Sequence, residues 1–375
     1  MSSSTTAVTT EVASNSKVRV LFASLVGTTI EFFDFYIYAT AAVLIFPHLF
    51  FPESSDSAAV LKSLATFAIA FIARPIGAAI FGHLGDRIGR KATLVAALLT
   101  MGISTVCIGL LPTYAQIGLA APLLLALCRL GQGLGLGGEW SGAVLLATEN
   151  APEGKRAWYG MFPQLGAPIG FILATGSFLL LNAFMSEQDF MAWGWRIPFI
   201  LGGLLCFVGY LIRRELHETT EFKRIKQHTA APFIEVLKNH FGKVIVGVGL
   251  VSIMATPIIL LIIFMPAYLT KLAHVPAKIA SDAVLCASIV SVISIYVMGI
   301  LANKYNLYKL MRNSLVLILP AAAICYYLIS QHSNLIFALV LFAIFQGFLV
   351  VLPSIVLSYL FPVNVRLTGV ALAYN

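Results

Sequence analysis

The sequence predicts an all-α protein that crosses a membrane many times. Of the 375 residues, 59% are hydrophobic and only 11% are charged, whereas about a quarter are charged in an ordinary soluble domain. The mean hydropathy is +0.92. A water-soluble fold of this size could not cover so much apolar surface, so lipid must be its solvent. Alternation of period two, which a membrane β-barrel needs, is not visible in the sequence.

Ten apolar runs are long enough to cross a bilayer, because a transmembrane helix needs about 20 mostly apolar residues. The predicted spans are residues 20–46, 60–82, 92–112, 118–146, 158–182, 194–212, 244–268, 283–302, 313–330 and 335–361. The Ser/Thr-rich segment before them has no apolar core and is not a signal peptide. We therefore predict a disordered cytoplasmic tail over residues 1–19.

Basic residues lie mainly on one side of these spans. Most of the 24 Lys and Arg residues fall on the side of the N-terminus, and the opposite side has only Lys62, Arg196, Lys271 and Lys278. The positive-inside rule places the N-terminus in the cytoplasm of a multi-pass inner-membrane protein. The net charge of +8 is then a topology signal, and no nucleic-acid partner is expected.

A polar loop divides the spans into groups of six and four, and several positions repeat between the groups at similar offsets. The pairs are Gly82 with Gly299, Asp86 with Asn303, Gln132 with Gln346, and Arg156 with Arg366. Such repeats predict two parallel six-helix halves. We predict an N-terminal half over 20–212, a cytoplasmic linker over 213–243, and a C-terminal half over 244–375. That second half would be truncated, with four helices, the start of a fifth, and the last two helices missing.

Two acids in the first span are candidates for proton coupling. A charge at the bilayer centre costs roughly 2.5–3.5 kcal/mol, so its presence there calls for a functional or structural explanation. Glu31 and Asp34 are three residues apart and share a helix face. Burial and a nearby guanidinium group have opposite effects on the proton affinity of a carboxyl group, so this pair could exchange protons near neutral pH. The alternative is a structural pair satisfied by Arg74 or Arg129.

The arginines inside the spans are candidate ligands for an anionic solute. Arg74 and Arg129 could bind a carboxylate in bidentate geometry, or could neutralise the buried acids. Glu139 is either a further protonatable group of the cavity or the partner of Arg129. Gln132 is a further candidate ligand. The predicted spans of the second half contain no charged residue or His, so that half offers neutral or aromatic contacts such as Gln346 and Tyr268.

Enzymatic and metal chemistry find no support in the sequence. The five cysteines are isolated within apolar stretches, no CxxC pair occurs, and no His lies at ligand spacing. The stretch GQGLGLGGEWSG lies within an apolar span, where small residues allow close helix packing, and does not follow a strand as a dinucleotide loop would. We expect no enzyme activity, cofactor or metal.

Several motifs resemble the metabolite:proton symporter family of the major facilitator superfamily. They are GTTIEFFDFYIYATAA, ARPIGAAIFGHLGDRIGRKATL, RLGQGLGLGGEWSGA, ENAPEGKRAWYG, WGWRIPF and LHETTEF, with a weaker likeness at RLTGVALAYN. The family includes uptake systems for shikimate, 2-oxoglutarate, citrate and proline or betaine. The resemblance implies the major facilitator fold and the import of a small organic metabolite with protons by alternating access. We expect the protein to be a monomer. The first half looks especially like the shikimate-transporter-like members.

The resemblance also implies a gate on the cytoplasmic side, on residues Gly82, Asp86, Arg87, Gly89, Arg90 and Lys91. In the family this loop holds the two halves together in the outward-open state. Asp86 can cap a helix N-terminus, including that of the eleventh helix, which we expect to be cut off here. In the second copy of the loop Asn303 replaces the usual Asp, and Leu307 and Tyr308 replace basic residues.

The leading prediction for the solute is a carboxylate such as shikimate or a dicarboxylate. A proline/betaine-type osmoprotectant is the alternative, with aromatic rings around the cation. A third possibility is a protein inactive in transport, either a truncated remnant or a sensor.

Overall fold

The computed structural model describes residues 16–223, 229–331 and 334–375. Within them, ten helices are long and apolar enough to cross a membrane, as predicted. They are α1 (Lys17–Leu44), α2 (Asp56–Arg87), α3 (Arg90–Leu110), α4 (Ala120–Glu149), α5 (Arg156–Phe184), α6 (Arg196–Arg214), α7 (Phe241–Lys271), α8 (Ala277–Lys304), α9 (Leu307–Ser330) and α10 (Leu335–Leu360). An eleventh helix, α11, spans Arg366–Tyr374.

Shorter helical segments occupy the connections. They are Phe46–Phe50, Tyr114–Ile117, Glu187–Asp189, a π-helical turn Phe190–Gly194, Thr220–Lys223, Pro232–Asn239 and a 3₁₀ turn Val363–Val365. A second π-helical turn, Leu260–Phe264, lies within α7. The predicted linker is therefore partly helical, although residues 224–228 lie outside the described part of the chain. Of the predicted tail, residues 1–15 also lie outside it, and helix α1 already begins at Lys17.

Close packing of α4 on α2 explains the glycine-rich run in α4. A Cβ atom on Gly137 would lie 2.3 Å from the carbonyl oxygen of Arg74 and 2.4 Å from the backbone nitrogen of Ala78. A Cβ on Gly133 would lie 2.6 Å from the carbonyl oxygen of Ala70. Because these neighbours are backbone atoms of α2, only glycine allows the two helices to approach so closely.

The two halves contact each other in a repeated way. The end of α2 packs on α11, where a Cβ on Gly82 would lie 2.8 Å from Cα of Thr368. At the corresponding place in the repeat, the end of α8 packs on α5, with Gly299 against Met161. A buried cluster further joins α4 to α7, α10 and α11 through residues such as Val144, Met254, Leu357 and Val370.

At the opposite ends of the helices, an aromatic cluster closes the first half. Tyr38, Phe46, Phe50, Trp195 and Phe199 are all fully buried there. Their rings meet mainly edge to face, with centroids 5.2–6.5 Å apart. Edge-to-face pairs at this spacing stabilise packing beyond the area they bury. These rings pack the end of α1, the short helix Phe46–Phe50 and the start of α6 against one another.

The packing of α4 on α2 predicts a large difference between two glycine substitutions. We expect Gly137→Ala to cost about 1–3 kcal/mol, because the added methyl group must push two helix backbones apart. Gly176 in α5 has no atom within 4 Å of its Cβ position, so Gly176→Ala should leave stability unchanged or raise it by up to about 1 kcal/mol through helix propensity. Thermal unfolding of both variants in detergent measures this difference. Equal changes in the unfolding temperature of the two variants would contradict the proposed packing.

Candidate functional site

A cavity of about 230 Å³ lies between the two halves. The first half contributes α1, α2, α4 and α5 to its lining, and the second half contributes α7, α10 and the end of α11. Most of the wall is apolar, and six of the lining residues are aromatic: Phe32, Phe35, Tyr36, Phe71, Trp140 and Tyr374. The charged and amide side chains in the wall are Glu31, Arg74, Gln164 and Asn375. An apolar pocket with few polar groups is typical of a small-molecule site.

Glu31 and Arg74 form a loose ion pair at this cavity. Nη2 of Arg74 lies 3.7 Å from Oε1 of Glu31. The other carboxylate oxygen of Glu31 is buried and has no hydrogen-bond partner among the described residues. Nε of Arg74 donates to Oδ1 of Asn375 at 2.8 Å. Both charged groups therefore keep bonding capacity that a solute or a proton can use.

Asp34 belongs to a separate polar cluster away from the cavity wall. Thr105 donates to Asp34 at 2.5 Å, and the amide nitrogen of Gln132 donates to both carboxylate oxygens at 2.8 and 2.9 Å. Arg129 donates to Gln132 at 2.9 Å, and its guanidinium carbon lies 4.0 Å from the ring centroid of Tyr38. The cluster is fully buried in the first half.

Glu31 and Asp34 were predicted to share one helix face, but their side chains lie in two different environments. Residues three apart on an α-helix are about 60° apart around its axis. That difference is enough to direct Glu31 to the cavity and Asp34 into the space between α1, α3 and α4. Of the predicted solute ligands in the first half, Arg74 lines the cavity, whereas Arg129 and Gln132 lie in the Asp34 cluster.

Both predicted alternatives for Glu139 are wrong in this structure. Glu139 neither lines the cavity nor contacts Arg129; its two oxygens accept from Arg213 at 2.5 and 2.9 Å. The sequence interpretation placed Arg213 in the linker, but α6 extends to Arg214 and carries this guanidinium group into the first half. Gly27 makes room for it, because a Cβ there would lie 1.6 Å from Nη2. The pairing favours a structural role for Glu139.

The second half contributes fewer polar groups. Oε1 of Gln346 accepts from Ser291 at 2.8 Å, and Gln346 lines a small pocket next to the main cavity. Tyr268 stacks on Phe264 and lines neither of these two cavities. Gln164 of α5 lines both, and its buried amide nitrogen has no hydrogen-bond partner among the described residues. The sequence interpretation missed Gln164, although a glutamine within an apolar span was the available signal.

The predicted gate loop contacts α11 directly. Asp86 accepts from the backbone nitrogens of Leu367 and Thr368 at 3.2 and 2.8 Å, and from the hydroxyl of Thr368 at 2.7 Å. A carboxylate at a helix N-terminus is favoured by the unpaired N–H groups and by the helix dipole. The expectation that Asp86 lacks its partner helix is therefore wrong, because α11 is formed over Arg366–Tyr374.

The other gate residues divide into those that support this contact and those that do not. Arg90 donates to Asp86 at 3.1 Å, and Gly89 makes the turn between α2 and α3 with φ of +119°, a conformation that favours glycine. Lys91 donates to the carbonyl oxygen of Arg214 at 2.6 Å. Arg87 is exposed.

Acidic residues that the sequence interpretation missed complete the contact between the halves. The guanidinium group of Arg90 lies 2.7 Å from Glu149, and Arg366 of α11 lies 3.3 Å from the same carboxylate. Glu221 of the linker pairs with Arg156 at 2.5 Å and also with Arg366. The two arginines occupy equivalent positions in the sequence repeat, so one linker carboxylate bridges both halves. We call the set Asp86, Arg90, Glu149, Arg156, Glu221 and Arg366 the gate network.

Asn303 makes the equivalent of the Asp86 contact in the repeat. Its side-chain oxygen accepts from the backbone nitrogen of Trp158 at 3.2 Å, near the N-terminus of α5. Asn303 is exposed and neutral, whereas Asp86 is buried and charged. The contact at α5 therefore has the same geometry but fewer and weaker bonds.

Comparison with known proteins assigns the chain to a family. The family model described as "Sugar (and other) transporter" matches residues 20–231. The chain belongs to this family of the major facilitator superfamily. The inner membrane metabolite transport protein YhjE of Escherichia coli is 50% identical over 371 residues, which cover 96% of this chain and 84% of the relative.

Other relatives differ in the solute that their names give. The shikimate transporter of Escherichia coli is 40% identical over 229 residues, covering 60% of this chain and 52% of that protein. The proline/betaine transporter of Salmonella typhimurium is 32% identical over 372 residues, covering 95% and 74%. Among solved structures, the proton:xylose symporter XylE bound to 6-bromo-6-deoxy-D-glucose matches with a TM-score of 0.78, 15% identity, and coverage of 96% of this chain and 85% of XylE. The protein is a multi-pass membrane transporter and not an enzyme.

The buried Glu139–Arg213 pair predicts a strong and asymmetric effect on stability. We expect Arg213→Met to cost about 3–5 kcal/mol, because it leaves a carboxylate unpaired in the protein interior. The double variant Glu139→Leu/Arg213→Met should recover much of this loss. Arg19→Met is the matched control, since its pair with Glu215 is about half exposed and such pairs contribute less than about 1 kcal/mol. Thermal unfolding in detergent measures all three, and no recovery in the double variant would refute the pairing account.

Proposed function

We propose that this chain imports a small organic metabolite by proton symport and alternating access. The observation that carries the proposal is the cavity between the two halves, with a loosely paired guanidinium and carboxyl group in a largely apolar wall. The gate network closes one end of the molecule. We propose that this end faces the cytoplasm, together with the N-terminus, because the basic residues lie on this side.

The leading solute is a carboxylate such as shikimate or a dicarboxylate. Arg74 is the positively charged group of the cavity wall, and guanidinium binds carboxylate in bidentate geometry. The free amide hydrogens of Gln164 supply a donor for a hydroxyl or second carboxylate group. The aromatic and aliphatic walls would enclose the carbon ring or chain.

Glu31 is the first candidate for the coupling proton. When Glu31 is ionised, it competes with an anionic solute for Arg74. Protonation removes that competition and leaves the cavity one unit more positive, so a proton and an anion favour each other's binding. Asp34 is the second candidate, since its protonation would disturb the hydrogen bonds from Thr105 and Gln132. We do not assign the proton to Glu139, because Arg213 occupies both of its oxygens.

A zwitterionic osmoprotectant is the second candidate solute. Glu31 and Arg74 offer opposite charges at one cavity, and the rings of Phe35 and Phe71 also line it. A carboxylate on Arg74 and a quaternary ammonium group near Glu31 and the rings would suit this arrangement. The proline/betaine relatives agree with this alternative.

Competition in proteoliposomes distinguishes the two solute classes. We expect shikimate, driven by an inward proton gradient, to accumulate and to be displaced by other hydroxylated carboxylates but not by glycine betaine. Arg74→Gln should raise the KM for the carboxylate by about tenfold or more, because a hydrogen bond to a charged group contributes about 1.5–3 kcal/mol. Accumulation of glycine betaine, with no uptake of shikimate, would establish the second candidate instead.

The assignment of the proton to Glu31 predicts a separation of two transport modes. Glu31→Gln mimics the protonated group, so solute exchange without a proton gradient should continue while gradient-driven accumulation falls to background. The same assays on Asp34→Asn show whether Asp34 carries the proton instead. Asp282→Asn, at an exposed acid near the start of α8, is the control and should behave as the parent. Full accumulation by Glu31→Gln would exclude Glu31 from coupling.

A further inference from the structure

Arg74 contacts both halves of the protein at once. It lies in α2 of the first half, where Nη2 approaches Glu31 at 3.7 Å. On the other side, Nε donates to Oδ1 of Asn375 at 2.8 Å, and the guanidinium carbon lies 5.5 Å from the ring centroid of Tyr374. Tyr374 and Asn375 belong to the end of α11 in the second half. The same side chain therefore faces the cavity and holds α11.

The end of α11 is also fastened to α4. The ring of Tyr374 stacks on Trp140 with centroids 3.8 Å apart and planes inclined by only 5°. The amide nitrogen of Asn375 donates to the carbonyl oxygen of Gly137 at 3.0 Å. Both aromatic rings form part of the cavity wall. Parting of the two halves at this place requires the stack and these hydrogen bonds to break.

We infer that Arg74 is a positioning residue that links solute binding to the contact between α4 and α11. The inference rests on the proposed function of the cavity as the solute site. A carboxylate that approaches Nε and Nη2 would replace the neutral oxygen of Asn375, because guanidinium forms its stronger hydrogen bonds with charged acceptors. Asn375 and Tyr374 would then lose their contacts with Arg74.

Whether the solute favours opening or closure depends on which of the two states contains the Arg74–Asn375 bond. The Arg74–Asn375 bond exists only while the two halves are closed at this end. An anionic solute must displace it to bind the closed state, but need not do so once the halves have parted. The solute therefore binds the open state more tightly and shifts the population toward opening on the side of the gate network.

Alkylation of a buried cysteine measures this opening directly. Val144 of α4 is fully buried and belongs to the cluster that joins α4 to α11. With the five cysteines of this sequence replaced, Val144→Cys should react with a maleimide only when the halves part. Without solute, we expect Asn375→Ala to raise the labelling rate by about tenfold, the factor that corresponds to a hydrogen bond with a charged group.

A matched control distinguishes the link from ordinary loosening of the interface. Leu367→Ala, also on α11 and fully buried in the same cluster, should raise labelling without involving Arg74. In the double variant Leu367→Ala/Asn375→Ala, the factors by which the two single variants raise the labelling rate should multiply. Arg74→Leu combined with Asn375→Ala should raise labelling by clearly less than the product of the two single effects, because both variants remove the same Arg74–Asn375 bond. If Arg74→Leu fails to fold because Glu31 is left unpaired, Glu31→Gln/Arg74→Leu replaces it in the same cycle.

Two outcomes would overturn the inference: unchanged labelling in the Arg74 variant, or effects of Arg74 and Asn375 that multiply. Shikimate and glycine betaine are then added as probes. An effective probe should raise labelling in the parent and in Leu367→Ala by the same factor, and should have no effect in Asn375→Ala. If neither probe changes labelling of the parent, the proposed solutes are wrong, while the mutant cycle still decides whether Arg74 links the two sites.

Discussion

The need to pair charges in a membrane interior determines how the helices of this protein meet. Because an isolated charge within lipid is costly, the buried acids of the first half lie beside donors from other helices. Glu139 holds α6 against α4 through Arg213, and Asp34 holds α1 against α3 and α4 through Thr105 and Gln132. The Glu31–Arg74 pair is looser, at 3.7 Å, and it is the pair that lines the cavity. Tight pairs therefore build the first half, and the loose pair remains available for binding.

The gate network applies the same chemistry between the halves, where the bonds must be reversible. Glu149 meets guanidinium groups from both halves, and Glu221 does so from the linker. Arg90, Glu149, Glu221 and Arg366 each have two partners of opposite charge, so opening breaks the bonds of shared groups rather than separating one isolated pair. The linker is consequently a component of the closed state and more than a tether between two bundles. Glu221 of the linker reaches α5 and α11 because α6 ends close to the gate loop, where Lys91 donates to Arg214.

Composition and span length predicted an all-α membrane protein, the internal repeat predicted its two halves, and the motif resemblance implied the major facilitator fold. The contacts between individual side chains were largely not predicted. All ten spans were predicted. The contact of Asp86 with the start of α11 was not, because the helix that Asp86 could cap was expected to be cut off. The partner of Glu139 was missed because a one-dimensional count of apolar residues ended α6 before Arg213, although the helix continues to Arg214. The roles of Glu149 and Glu221 were missed because each lies at a helix end or in the linker, where charged residues usually face water. The roles proposed for Arg74, Gln164 and Glu31 remain predictions.

The two halves repeat one another in backbone but differ in charge, and this difference decides which contact matters more for closure. Asp86 receives two backbone hydrogen bonds, a hydroxyl bond and an arginine bond, all of them buried. Asn303 receives one backbone bond at an exposed position. Bonds to a charged acceptor are about twice as strong as neutral ones, so α11 is the more firmly held of the two repeated helices. The helix that carries Tyr374 and Asn375 is thus fixed at its N-terminus by Asp86 and at its cavity end by Arg74. Parting of α11 from the first half requires both contacts to break, and the contact with Arg74 is the one that lines the cavity.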